Sequence, residues 1–184
     1  MKYNFLILFS AIILCQNSLA QSQYKYKLIA PIQSDSLYYK DSLVEITLRP
    51  DEYQLNFTLK NLTEGMIKVN WDECALIIID ESKPAIHAGI KYIDRDKSMP
   101  PTIIPGGTRI NEMLVGKSYI KYGYNNWDVE KMYRFSYFST PESTFPLGCF
   151  LSLITANGKK EYYFKIQISK IDKIKVKKSK KSKE

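Results

Sequence analysis

The chain has little of what most enzymes use for chemistry: one histidine and three cysteines in 184 residues. A zinc site needs clustered cysteine or histidine ligands, and Cys15, Cys74 and Cys149 are far apart in the sequence. His87 is the one histidine that could serve as a general base. The GxSxG and HExxH patterns are absent. We therefore expect no catalytic residue, no metal and no cofactor.

Pairs of carboxylates are present, but their neighbours argue against acid–base catalysis. Asp72 and Glu73 are adjacent, which is typical of solvated turns rather than of a glycosidase pair. Asp94 and Asp96 alternate with Arg95 and Lys97, so local ion pairs are expected there instead of a calcium site.

Long apolar runs are absent after the first 20 residues. The run from Phe5 to Cys15 is shorter than the roughly 20 residues that a membrane-spanning helix needs. Small residues, Ser18 and Ala20, precede the expected cleavage point. The sequence thus predicts a signal peptide over 1–20 and an exported protein of the periplasm or cell envelope. The alternative is lipid attachment at Cys15.

Positive charge is concentrated at the C-terminus. From Lys170 onward, eight lysines stand against Asp172 and Glu184, in a chain of net charge +8. Without an apolar pattern, the tail 170–184 is expected to be disordered, and 21–169 to form one domain. Outside the cytoplasm, an anionic polymer or lipid surface is a better expected partner for this tail than nucleic acid.

Helical periodicity is also missing, and short alternating or β-branched runs fill the domain. The clearest are 43–49, 53–61, 65–71 and 74–80, the last apolar enough to predict burial on both faces. Asn157-Gly158 predicts a two-residue hairpin turn. We expect an all-β, antiparallel β-sandwich, most simply an immunoglobulin-like one, with a closed barrel as the alternative.

Cys74 and Cys149 each lie in an apolar, strand-like run. In an oxidising compartment they would form a disulfide, and otherwise two buried free thiols.

His87 stands before a proline-rich segment. Alternation along 84–92 places Ile86 on the core face and His87 on the opposite face, toward solvent or a covering loop. Pro100-Pro101 and Pro105-Gly106-Gly107 then predict a structured crossover and a turn. Because such loops often carry binding sites, we treat His87 and Arg95 as candidate binding residues.

The segment 119–133 is crowded with aromatic residues. Tyr122, Tyr124 and Trp127, among Asn and Gly, are typical of an exposed recognition loop for proteins or sugars. Core packing and cross-strand pairing are the alternative account. Of the two tryptophans, Trp71 is the one more expected to be a core residue.

The runs FTLKNLTEGMIKVNWDECALIIID, HAGIKYIDRDKSMPPTIIPGG and NNWDVEKMY resemble a group of small bacterial exported proteins and lipoproteins. The likeness covers about residues 53–133 and implies an envelope location and a β-sandwich, with no catalytic residue carried over. The leading hypothesis is therefore a non-enzymatic envelope protein that acts as an interaction or structural module. The second is a binder of carbohydrate or envelope polymer that uses the 119–133 loop and the tail.

Overall fold

The structure, a computed structural model, describes residues 24–140 and 142–171. The predicted signal peptide, Cys15 and the tail beyond residue 171 lie outside the described residues. Regular structure in the described part consists of thirteen β-strands and four short 3₁₀ turns. The strands are β1 Tyr24–Ala30, β2 Tyr38–Lys40, β3 Val44–Pro50, β4 Leu55–Asn61, β5 Ile67–Val69, β6 Ala75–Ile78, β7 Glu81–His87, β8 Thr102–Ile104, β9 Arg109–Gly116, β10 Ile120–Gly123, β11 Asn126–Val129, β12 Thr144–Thr155 and β13 Gly158–Lys170.

All strand pairings are antiparallel, which confirms the predicted all-β, antiparallel fold class. Eleven strands form one sheet, whose main path runs β1-β13-β12-β6-β7-β9-β4-β3-β2, with β5 beside β12 and β8 beside β5. Strands β10 and β11 form a separate hairpin. The immunoglobulin-like strand order stays a prediction.

Strand β7 connects two halves of the large sheet. Its first part, Glu81–Pro84, pairs with β6, and its second part, Ala85–His87, pairs with β9. A strand that changes partners along its length turns the corner between two packed layers. The layer around β12 and β13 therefore continues, through β7, into the layer around β4 and β9.

The core lies between these layers because alternate residues of most strands point inward. Strand β4 lies within the predicted strand 53–61. Its residues Leu55, Phe57 and Leu59 are buried, and Tyr53 lies before the strand and is exposed. The prediction that 74–80 is buried on both faces is wrong. In β6, Leu76 and Ile78 are buried whereas Ala75 and Ile77, on the other face of the strand, are half-buried.

The predicted hairpin before β13 is present, displaced by one residue. Thr155 pairs with Gly158, so the turn residues are Ala156 and Asn157. Gly158 has a φ of +107°, a conformation that L residues rarely adopt. Strand β13 continues through Lys170, one residue past the predicted domain boundary.

Cys74 and Cys149 are both buried and carry free thiols in this structure, rather than a disulfide. No helix in the described part of the chain is long and apolar enough to cross a membrane.

We expect neither thiol of the folded mature protein to react with a thiol-specific disulfide reagent. Burial raises the pKa of Cys74 to about 11 and that of Cys149 well above its ordinary value, so little thiolate forms at neutral pH. In guanidinium without reductant, absorbance should report two thiols per mature chain. Zero thiols there would mean that the two cysteines are bridged.

Candidate functional site

The 3₁₀ turn Trp71–Glu73, which follows β5, organises one side of the molecule. Trp71 is 1% exposed, and its indole N–H donates a hydrogen bond to Thr102 Oγ1 at 2.8 Å. Its ring stacks on His87, with 4.2 Å between ring centroids and 11° between ring planes, and also contacts Phe57. Trp71 therefore holds the ends of β7 and β8 against the core.

The prediction that His87 faces away from the core is wrong. Ala85, Ile86 and His87 are consecutively buried, because β7 leaves one half of the sheet and joins the other at this point, which breaks the two-residue alternation. Nδ1 of His87 lies 3.5 Å from Glu112 Oε2, within ion-pair distance but outside hydrogen-bond geometry. Within the described residues, neither ring nitrogen of His87 makes a hydrogen bond.

Glu112, which no sequence motif singles out, positions the chain that leaves β7. Its side chain is 13% exposed, and Oε2 accepts a hydrogen bond from the Ala88 N–H at 3.2 Å. The loop 88–101 thus begins at a fixed point. Nothing in the sequence pattern of β9 distinguishes this carboxylate from a solvated one, since its partner comes from another strand.

Asp72 fixes the far end of the same loop. It accepts hydrogen bonds from the Ser98 hydroxyl and, at 2.9 Å, from the Met99 N–H. These two bonds, the Ser98 bond above all, hold the pKa of Asp72 below its ordinary value. The neighbouring Glu73 accepts a hydrogen bond from Ser152 Oγ at 2.6 Å. Both carboxylates are therefore structural acceptors.

The loop 88–101 contains the ion pairs that its alternating charges predict. Lys97 Nζ lies 2.8 Å from Asp94 Oδ1, and Arg95 Nε lies 3.8 Å from Asp96 Oδ2. A 3₁₀ turn at Tyr92–Asp94 brings Tyr92 and Arg95 toward the separate hairpin β10–β11.

Trp127 of β11 is the centre of an aromatic cluster. The guanidinium carbon of Arg95 lies 4.9 Å from the Trp127 ring centroid, and the rings of Tyr92 and Tyr122 lie 6.5 and 5.1 Å away. The structure thus brings together three predicted binding residues, Arg95, Tyr122 and Trp127. His87 contacts Trp71 and Glu112 instead.

The hairpin turn carries the fifth predicted residue. Gly123 pairs with Asn126, so the turn consists of Tyr124 and Asn125, with φ values of +47° and +63°. Two left-handed residues match the type I′ turn, in which Asn and Gly are favoured and a Tyr is strained. Tyr124 is fully exposed and Tyr122 is 61% exposed.

An open groove of about 580 Å³ lies at the base of this hairpin. Its lining residues are Glu52, Tyr53, Asp128, Val129, Glu130, Lys131, Arg134 and Ser136. Sequence reasoning missed the groove because its walls come from the turn before β4 and from the segment after β11. Over the described residues, no three His, Cys, Asp or Glu side chains are placed to hold a metal ion.

Comparison with known proteins gives little. No family model matches the chain, and no curated protein matches it. Among solved structures, the crystal structure of the yjhA protein from Bacillus subtilis aligns over 60% of this chain and 75% of that chain, with 12% identity and a TM-score of 0.32. A likeness of this size carries no argument about fold or function.

The two tryptophans should contribute very differently to stability. We expect Trp71→Ala to lower the free energy of unfolding by about 3–5 kcal/mol, because it opens a cavity in the core and removes the His87 stack. Trp127→Ala, at a half-buried site on the hairpin, should cost much less. Urea unfolding followed by circular dichroism measures both variants, and equal losses would contradict the assigned role of Trp71.

Anchoring of the loop 88–101 should depend on pH through Asp72. Because its folded-state pKa is lowered, the stabilisation is present above the ordinary aspartate pKa and is lost as pH falls through the lowered value. The protection factors of peptides covering Ser98 and Met99, measured by hydrogen exchange and corrected for the intrinsic rate at each pH, should therefore be high at neutral pH and fall at acidic pH as Asp72 becomes protonated. Asp72→Asn should already exchange faster at neutral pH.

Asp96→Asn is the matched control for that experiment, since Asp96 is exposed on the same loop and forms one ion pair at 3.8 Å. It should leave the exchange unchanged. Equal exchange in Asp72→Asn and the unsubstituted protein would show that Asp72 does not anchor the loop.

Proposed function

We propose that this protein is a non-enzymatic, exported module of a bacterial envelope, and that it binds a partner protein through the β10–β11 hairpin. The observation that carries the proposal is the pair of exposed tyrosines on that hairpin, Tyr122 and Tyr124. Large aromatic side chains that protrude from a fixed backbone are typical binding anchors, because they bury much area and lose little conformational entropy.

The support behind the hairpin favours recognition over core packing. Within the described residues, β10 and β11 pair with each other and with no other strand. Trp127 attaches the hairpin to the loop 88–101 through Arg95 and Tyr92. Because Trp127 packs against the loop, the hairpin is held in place while Tyr122 and Tyr124 remain exposed. The two tyrosines therefore offer a partner a rigid surface.

The strained turn is a second support. A tyrosine at a φ of +47° costs stability that glycine or asparagine would not. Such strain persists where the side chain has a use, and it is concentrated at functional sites in proteins.

The proposal has no catalytic step because the one histidine is not open to a substrate. The His87 ring lies between Trp71 and Glu112 and is about nine-tenths buried. A general base needs to reach the proton that it removes.

Binding of a carbohydrate or envelope polymer is the second candidate. Sugars stack on open aromatic faces, and Arg95 lies over the Trp127 ring. Tyr122 and Tyr124 would therefore have to provide the platform. This arrangement fits a protein partner better than a sugar.

The test is a crosslinking pull-down from native envelopes with the mature protein. We expect one discrete protein partner, which Tyr122→Ser/Tyr124→Gly loses. The control Tyr38→Ser/Tyr163→Ser also removes two exposed tyrosines, from β2 and β13, and should retain the partner. Loss of the partner in both variants, or in neither, would contradict the hairpin site, and recovery of polymer alone would favour the second candidate.

Tyr124→Gly also separates binding from folding. Glycine adopts the left-handed conformation freely, so this variant should be more stable than the unsubstituted protein by up to about 1 kcal/mol while it binds the partner less well. Urea unfolding and the pull-down report the two effects, and a destabilised variant would show that the turn is not strained.

A further inference from the structure

We propose that the lysine-rich segment 173–183 docks back onto its own domain, in the groove at the base of the hairpin. This inference does not depend on the proposed function, because it concerns the tail and the groove and not Tyr122 or Tyr124.

The described chain ends just after β13, and the strand that pairs with this end of β13 contacts the groove. Lys170, the last residue of β13, pairs with Tyr24, the first residue of β1. The Tyr24 hydroxyl donates a hydrogen bond to Glu52 Oε1 at 2.5 Å, and Glu52 lines the groove. The Tyr24 side chain therefore links the backbone beside Lys170 to the groove wall.

The groove already holds one lysine side chain. Lys131 forms an ion pair with Glu52, and its ammonium lies 5.3 Å from the centroid of the Tyr53 ring. A carboxylate together with an aromatic face is a recognised environment for a lysine ammonium. The same wall thus shows the chemistry that a second lysine would use.

Two carboxylates of the groove remain available. Within the described residues, Asp128 and Glu130 form no ion pair, and Glu130 is exposed. With Glu52 paired to Lys131, the lining has these two carboxylates against the single cation Arg134. The sequence after Ile171 has seven lysines against Asp172 and Glu184. The charges of groove and tail are therefore complementary.

Because segment 173–183 is covalently attached to the domain, weak contacts are sufficient to dock it in the groove. Segment 173–183 is long enough to cross the groove, since an extended chain advances about 3.3 Å per residue. A tether of this length gives an effective concentration on the order of millimolar. The tail would then be docked at low salt and released when exposed ion pairs are screened. An anionic polymer or lipid surface would compete with the groove for the same lysines.

Paramagnetic relaxation enhancement tests the docking on the whole mature protein. A nitroxide is attached at Ser182→Cys, while the two native thiols are buried. At low salt we expect loss of amide signal for Glu52, Tyr53 and Asp128–Lys131. The signals should return near 1 M salt, where the Debye length is about 3 Å.

The matched variants decide between docking and random contact. Asp128→Asn/Glu130→Gln should abolish the signal loss at the groove. Glu64→Gln/Glu161→Gln removes the same charge at the opposite ends of β4 and β13 and should leave it unchanged. The proposal is overturned if Asp128→Asn/Glu130→Gln keeps the signal loss at the groove, or if the amides of another surface lose signal instead. It is also overturned if, in a mixed sample, molecules with the nitroxide cause the signal loss in molecules without it, because the contact would then be between two copies of the chain.

Discussion

The stacking of Trp71 on His87 is the contact on which the candidate site depends. The two rings pack together where β7 leaves β6 and pairs with β9. In the same 3₁₀ turn, Asp72 accepts hydrogen bonds from the loop 88–101 and Glu73 accepts one from Ser152. The loop in turn carries Arg95 to Trp127. The exposed hairpin is therefore linked to the core by side-chain contacts joined by short backbone segments, so the geometry of its surface depends on interior packing.

Much of the fold could be predicted from alternation and turn residues, because these depend on local chemistry. The strands β3, β4 and β5, the crossover 88–101 and the hairpin before β13 follow the sequence patterns. His87 could not be placed in this way. Its burial follows from β7 changing partners between β6 and β9, which is a property of the whole sheet and leaves no mark in the seven residues of the strand.

The candidate site was predictable to the same extent. Tyr122, Tyr124 and Trp127 stand out in the sequence because aromatic residues beside Asn and Gly are unusual in a core. Arg95 is a candidate binding residue because it lies in the proline-rich loop, but its position over the Trp127 ring depends on the tertiary structure and could not be predicted. Glu112 and the groove carboxylates left no signal, since an acidic residue in an alternating strand or turn has the same appearance whether it is solvated or has a distant partner.

The pairing of Tyr24 with Lys170 joins the two ends of the described chain in adjacent strands. Strand β1 completes its ladder with β13, the last strand of the described part, so this contact spans nearly the whole described sequence. Contacts between distant residues form late, because the loop entropy has to be overcome first. Strand β1 consequently has no partner until β13 has been synthesised, so the large sheet is completed only when nearly all of the described sequence is available.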